Sequence, residues 1–235
     1  MVTIPDKTLG VSIITATNRP YFLNNLLDNY ARQEYVPREL ILVLHGNSNK
    51  RRDIQNKTKD HEKIRVYQVS DSYTLGDCYN YGIEKSKYNY LAKFDDDDYY
   101  GSHHLTDAMR AFQYSNADIV GKHSRFVYFE KESQLMVYEG IEYDYFEYVS
   151  GATMVFKRAV WKAVKFDSVT LGEDSNFQAD ALQQGFRIFS IDKYNYVTIR
   201  RKDPHHHTFQ LDDAVYMSYC KPLARTTNFL PLVVR

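Results

Sequence analysis

Asn89-Tyr90-Leu91-Ala92-Lys93-Phe94-Asp95-Asp96-Asp97-Asp98-Tyr99-Tyr100 runs a short apolar segment into four consecutive aspartates. Residues 89–94 predict a buried strand. Four like charges at its end repel one another, and burying any side of them raises their pKa values. A cation is therefore expected beside them. Asp95 and Asp97 alternate, so they share a side if strand geometry persists. Carboxylate oxygens suit hard divalent cations, Mg2+ or Mn2+, which bridge diphosphates while keeping some water ligands. The competing reading is a solvated acidic turn that caps a helix near residues 102–106.

Upstream of this run, strand and helix patterns alternate. Residues 11–17 (Val-Ser-Ile-Ile-Thr-Ala-Thr) form a β-branched run that Asn18-Arg19-Pro20 breaks. Pro20 suits the first turn of a helix, which residues 21–33 continue with helical spacing. Residues 39–44 predict a second buried strand, closed by the turn signal His45-Gly46-Asn47-Ser48-Asn49. Residues 50–63 read as a solvated helix, 64–69 as a third strand and 75–85 as a helix opened near Gly76. The order β-α-β-α-β-α-β implies a mostly parallel central sheet flanked by helices. Such sheets bind ligands at the carboxyl ends of their strands. Those ends are Thr15, Ala16, Thr17 and Arg19, then His45, then residues 70–75, then the acidic run.

The second half is a mixed region. Residues 118–127, 135–143, 150–156, 186–191 and 194–199 predict strands, and 158–164 and 173–184 predict helices, the latter ended by Gly185. The expected organisation is a single domain over residues 1–235, with 1–100 and 101–235 as two halves. Lys and Arg number 30, as do Asp and Glu, so the formal net charge is zero. A neutral balance disfavours a nucleic-acid-coating role. The 2 cysteines are far apart and fit a reducing compartment, the cytoplasm. No apolar run is long enough to span a bilayer.

Taken in order, these segments resemble a family 2 glycosyltransferase with the GT-A fold. The resemblance rests on the strand and Asn18-Arg19-Pro20 loop, the helix Gly76-Asp77-Cys78-Tyr79-Asn80, and the Asp95-Asp96-Asp97-Asp98 run. It continues with Ser150-Gly151-Ala152 before an apolar strand and Glu173-Asp174 opening a helix. It extends from residue 11 to about 210, and it implies a nucleotide-binding half over 1–100 and an acceptor-binding half over 101–235, with nucleic acid possible only as an acceptor. The resemblance implies an inverting, metal-dependent transfer of sugar from a nucleotide-sugar donor, a UDP-sugar by family habit, to an acceptor hydroxyl. It implies that Asp95 meets the ribose, Asp97 the Mn2+ or Mg2+ ion, and that Asp174, beside Glu173, is the catalytic base. Thr15, Ala16, Thr17, Arg19, His45, Gly76, Asn80 and Asp96 are expected around the donor, and Ser150, Gly151 and Ala152 around the acceptor. Within His205-His206-His207 the resemblance favours His207, then His205, as a further metal ligand.

One departure stands out. Where the family often has an acidic residue after the second strand to read the base, this chain has Leu44-His45-Gly46-Asn47. The aromatic, acidic stretch 138–148 is a candidate acceptor wall, or else a strand pair with half-buried tyrosines. Arg200, Arg201 and Lys202 would suit phosphates or a solvated face. The alternatives in function are a nucleotidyltransferase, which lacks its basic or Gly-rich phosphate loop here, and an inactive nucleotide-sugar-binding module.

Overall fold

The computed structural model describes residues 9–46, 51–59, 61–203 and 210–235. Its first half alternates β1 (Val11–Thr17), α1 (Leu23–Arg32), β2 (Arg38–His45), α2 (Arg51–Thr58), β3 (Ile64–Val69), α3 (Leu75–Lys85) and β4 (Tyr90–Lys93). β1 lies between β2 and β4, parallel to both, with Ile13 opposite Leu40 on one side and Ala92 on the other. β1 and β2 are apolar almost throughout because both faces of the sheet are covered. Val11, Ile13, Leu40 and Leu42 pack with Leu23, Leu26 and Tyr30 of α1. The alternate residues Ile14, Ile41 and Val43 pack on the other face with Cys78, Tyr79 and Ile83 of α3.

Beyond β4 come β5 (Tyr99–Tyr100), α4 (His104–Tyr114), β6 (Ile119–Gly121), β7 (Arg125–Phe129), β8 (Gln134–Tyr138) and β9 (Asp144–Tyr145). Then follow β10 (Val155–Lys157), α5 (Arg158–Ala163), α6 (Glu173–Gln183), β11 (Ile188–Ser190) and β12 (Tyr196–Arg200). α7 (Asp213–Ser218), β13 (Lys221–Arg225) and α8 (Leu230–Val233) complete the order. The large sheet has the order β3-β2-β1-β4-β10-β6-β11-β9, and a second sheet has the order β13-β8-β7-β12-β5. The α/β architecture is therefore as expected, with a smaller mixed sheet beside the large one. β10, β6, β11 and β9 all complete the large sheet, with β10 antiparallel to β4.

Two local expectations change. Residues 150–156 do not form one strand: Gly151–Thr153 is a 3-10 turn and only Val155–Lys157 is extended. The cause is Thr153, whose backbone N and Oγ1 both donate to Ser150 O, at 2.9 and 2.7 Å. The elements α7, β13 and α8 were outside the sequence expectation. β13 contains Pro222 and sits at a sheet edge, where a missing N–H is tolerated.

Candidate active site

A cleft of about 670 Å³ opens at the carboxyl ends of β1, β2 and β4. That is within the roughly 300–1,000 Å³ typical of small-molecule sites. Its floor is the acidic run, whose backbone is pinned from α1. Asn25 Nδ2 donates to the carbonyls of Asp96 and Asp98 at 2.7 and 2.9 Å, and Asn29 Nδ2 to Asp98 O at 2.8 Å. Asn25 and Asn29 lie four apart on one helix face, which is why both reach the same turn. Tyr100 Oη accepts from Asp95 N and donates to Ala152 O, each at 2.8 Å, joining the run to the 3-10 turn.

The four carboxylates have different surroundings. Asp98 points inward, accepting from Ile199 N at 3.0 Å and from Tyr196 Oη. Burial, then the neighbouring Asp97 and Asp95, push its pKa up to about 8. Asp96 is held by Thr17 Oγ1 and the Arg19 guanidinium. Burial and Asp97 raise it to about 7, against the pull of Arg19. Asp97 Oδ2 accepts from Arg19 Nη1 at 2.8 Å, and burial raises its pKa as well. Asp95 differs. Burial acts to raise its pKa, but the Lys93 ammonium at 2.9 Å and Tyr79 Oη at 3.2 Å outweigh that and lower it.

Lys93 connects the floor to the opposite rim. Its side chain is only 4% exposed, and Nζ lies 3.8 Å from Glu173 Oε1 as well as beside Asp95. Burial raises the Glu173 pKa to about 7, with Lys93 opposing the shift. Asp174 follows on the first turn of α6, with Oδ1 accepting from Ser175 N at 2.8 Å. Its other oxygen rests on Gly151: a Cβ built there would stand 1.5 Å from Asp174 Oδ2. Gln178, one turn on, accepts from Val149 N at 2.7 Å and donates to Val149 O at 3.1 Å. α6 is thus stitched to residues 149–151, and the absent side chain of Gly151 makes room for the Asp174 carboxylate.

Most of the sequence-derived residues meet in this cleft: Ala16, Thr17, Arg19, His45, Asp95, Asp96, Asp97, Ser150, Gly151, Ala152, Glu173 and Asp174 all line it. Three do not. Thr15 is fully buried, and its Oγ1 has no hydrogen-bond partner. Gly76 packs α3 against residues 167–169. Its N donates to Val169 O at 3.1 Å, and a Cβ would meet Asp167 O at 1.8 Å. Asn80 spends its amide on packing: Nδ2 donates to Phe166 O, while Oδ1 accepts from Trp161 Nε1 and Phe166 N. His205 and His207 lie outside the described residues. Of the basic trio, Arg200 pairs with Asp213 at 2.8 Å, and Arg201 pairs with Glu130 at 2.7 Å and donates to Asp97 O.

Sequence reasoning missed Lys93, Tyr79, Arg125 and Tyr196. Lys93 carried a usable signal, because it precedes Asp95 by two and a strand puts such residues on one side. The others arrive from distant elements. His45 lines the cleft with Nε2 buried and unpartnered, so it holds a polar group in reserve where an acidic residue was expected.

Among the described residues no group of three His, Cys, Asp or Glu side chains is placed to hold a metal ion. A diphosphate-bridging cation does not need one. Mg2+ in such sites takes one or two carboxylates and completes its shell with phosphate oxygens and water. Asp97, at the cleft surface with hard oxygen donors, fits that demand.

The fold is found elsewhere. S. aureus TarS residues 1–349 match at a TM-score of 0.62 and 18% identity, over 81% of this chain and 60% of that one. Its complex with UDP-GlcNAc matches at 0.63 and 16%, over 89% and 64%. The mannosyltransferase PcManGT from Pyrobaculum calidifontis, in complex with GDP-Man and Mn2+, matches at 0.64 and 14%, over 83% and 58%. The chain therefore spans about 60% of the length of the first of these structures. No curated protein sequence matches it. The structural likenesses establish the GT-A fold. Residues 12–163, more than half of the chain, match the family described as Glycosyl transferase family 2, and the chain belongs to that family of glycosyltransferases.

Proposed function

We propose that this chain transfers a sugar from a nucleotide-sugar donor to an acceptor hydroxyl with inversion at the anomeric carbon, and that Asp174 is the base. The observation that carries the proposal is the seating of Asp174 against Gly151, in the cleft that Asp95 and Asp97 also line, with its neighbour Glu173 joined to Asp95 through Lys93. Asp174 would accept the proton of the acceptor hydroxyl as that oxygen forms its bond to the anomeric carbon. The bond from that carbon to the diphosphate oxygen breaks on the opposite face, and its electron pair leaves with the nucleoside diphosphate. One displacement inverts the centre, and no second carboxylate need act as nucleophile. Asp95, kept ionised by Lys93, presents its remaining oxygen for a ribose hydroxyl. Arg19 offers a guanidinium beside the position of the diphosphate.

Mn2+ or Mg2+ bound with the donor at Asp97 would add electrostatic stabilisation of the departing diphosphate. A UDP-sugar is the proposed donor; the related structures hold UDP-GlcNAc in one case and GDP-Man in another. No helix among the described residues is long and apolar enough to cross a membrane, and a cytoplasmic location is proposed. The test is to incubate the chain with several UDP- and GDP-sugars and Mn2+ and follow nucleoside diphosphate release. Slow release by hydrolysis is expected from at least one donor. Absence of release, together with absence of nucleotide binding for every donor, overturns the proposal.

A further inference from the structure

The far wall of the cleft is built from Arg125 at the start of β7 with Tyr138, Tyr148, Tyr216 and Tyr219. Arg125 Nη1 donates to His123 O and Nη2 to Tyr216 Oη, each at 3.1 Å, and the guanidinium lies 4.2 Å from the centre of the Tyr138 ring. Among the described residues no carboxylate pairs with Arg125. Each of these contacts leaves its full positive charge uncancelled, and a guanidinium shielded by rings on one side has lost part of its hydration. A partly desolvated cation on a cleft wall, with no carboxylate paired to it among the described residues, is a site for an anion.

The neighbouring hydroxyls point to the same chemistry. Tyr216 Oη accepts from Arg125, so its own proton remains to be donated. His123 Nδ1 accepts from Ile141 N at 2.9 Å, which leaves the ring proton on Nε2, 3.1 Å from Tyr148 Oη. Tyr148 therefore accepts from His123, and its proton is available to Tyr138 beside it or to a ligand. Tyr148 and Tyr219 are 44% and 62% exposed, offering ring faces rather than core packing. Tyr148 also precedes Val149, which is bonded to Gln178 of α6, and Gly151, against which Asp174 rests, so the wall adjoins the proposed base.

We propose that this wall is the subsite for an acidic acceptor: a sugar or polyol whose ring lies against the tyrosines and whose carboxylate or phosphate is held by Arg125. The proposal rests on the glycosyl-transfer reading above, since it assigns the acceptor end of that cleft.

The experiment uses the full chain with UDP and Mn2+ present, so that the diphosphate end is filled before the probe is added. Binding of glucuronate, glucose 6-phosphate and glucose is measured by calorimetry. At least one charged probe is expected to bind about tenfold or more tightly than glucose, and which of the two binds better tells carboxylate from phosphate. Arg125→Gln should bring the charged probes down to the affinity of glucose, and Tyr219→Ala should weaken all three alike. If Arg125→Gln loses the parent circular dichroism spectrum, the parent itself decides. Its preference for the charged probe should shrink between about 0.05 and about 0.5 M NaCl while glucose binding holds. The proposal is overturned if glucose binds as well as both charged probes, if no probe binds, if a folded Arg125→Gln keeps the preference, or if salt leaves it unchanged. Nucleoside diphosphate release from the donor is scored separately. Its absence with anion binding intact removes the transferase reading and leaves the anion site standing.

Discussion

The two ends of the cleft handle charge in opposite ways. At the acidic end the carboxylates are answered from within the chain. Arg19 serves Asp96 and Asp97, Lys93 serves Asp95 and leans toward Glu173, and Asp98 is turned away into hydrogen bonds with Tyr196 and Ile199. At the tyrosine end, Arg125 has no carboxylate among the described residues. The acidic end is thus largely neutralised as folded, and a cation at Asp97 must compete with Arg19. The tyrosine end waits for its counter-charge. The difference separates effects on chemistry and stability, concentrated at the acidic end, from effects on acceptor choice.

The sharpest way to break this picture is Asp174→Asn. The amide keeps the size of the carboxylate, so the fit against Gly151 survives while the proton acceptor is lost. Transfer should fall by about 10²–10⁴-fold, with donor affinity unchanged by calorimetry. Unchanged turnover would place the base elsewhere. Lys93→Met comes next. It leaves Asp95 and Glu173 without their cation, and breaking a buried pair costs about 3–5 kcal/mol. The low end applies because the Asp95 side chain is 33% exposed. Urea unfolding measures it, and a loss below about 1 kcal/mol would make Lys93 a bystander.

Gly151→Ala tests the seat of the base without removing it. A Cβ 1.5 Å from Asp174 Oδ2 forces the carboxylate to move, and a displacement of that order costs about 10²-fold in turnover. Donor affinity should hold, and wild-type turnover would show that the seat is irrelevant.

Smaller effects are expected from pH. Asp98, Asp96 and Glu173 all have native pKa values raised, to about 8, 7 and 7. The native state therefore holds protons that the unfolded chain gives up near its ordinary carboxylate range. The stability from these groups is fully present below that range and is lost as pH rises through 7 and 8. The lowered pKa of Asp95 acts oppositely, in a separate window at acid pH. Urea midpoints should fall from pH 6 to pH 9, and Asp98→Asn should flatten that slope because the amide can still accept from Ile199 N. An equally steep slope in the variant would remove Asp98 as its source. The smallest shift belongs to Mn2+ alone. Arg19 already occupies Asp97, so the ion should barely move the melting temperature unless UDP accompanies it. A large shift without nucleotide would mean that the ion displaces Arg19 unaided.

The sequence made the first four strands legible because their apolar runs are continuous and their breaks are sharp, as at Asn18-Arg19-Pro20. It also exposed the acidic run and Glu173-Asp174, since such local patterns survive without knowledge of the fold. What it hid is the pairing across distance. Arg19 meets Asp96 from 77 residues away, and Tyr196 meets Asp98 from 98. Such partners follow from the sheet order, which no periodicity encodes. Gly76 and Asn80 show a second way in which long-range packing was hidden. Their positions fitted a family pattern, but their atoms are used to pack α3 against residues 166–169 and Trp161. β13 and α8 escaped because a strand with Pro222 and a helix of four residues owe their form to neighbours rather than to propensity.

The insertion of β10 between β4 and β6 has a consequence for how the chain is made. As residues 11–93 leave the ribosome they can assemble β3-β2-β1-β4, but β4 then presents a bare edge until Val155–Lys157 arrives to pair with it. Bare edges invite pairing with other chains, and nascent chains grow by only about 5–20 residues per second. The run Asp95–Asp98 directly follows that edge, and charge beside a bare edge disfavours its pairing with other chains. The charges that line the finished cleft thus also stand beside the unfinished sheet, and Asp98 is turned inward only once Tyr196 and Ile199 take it up.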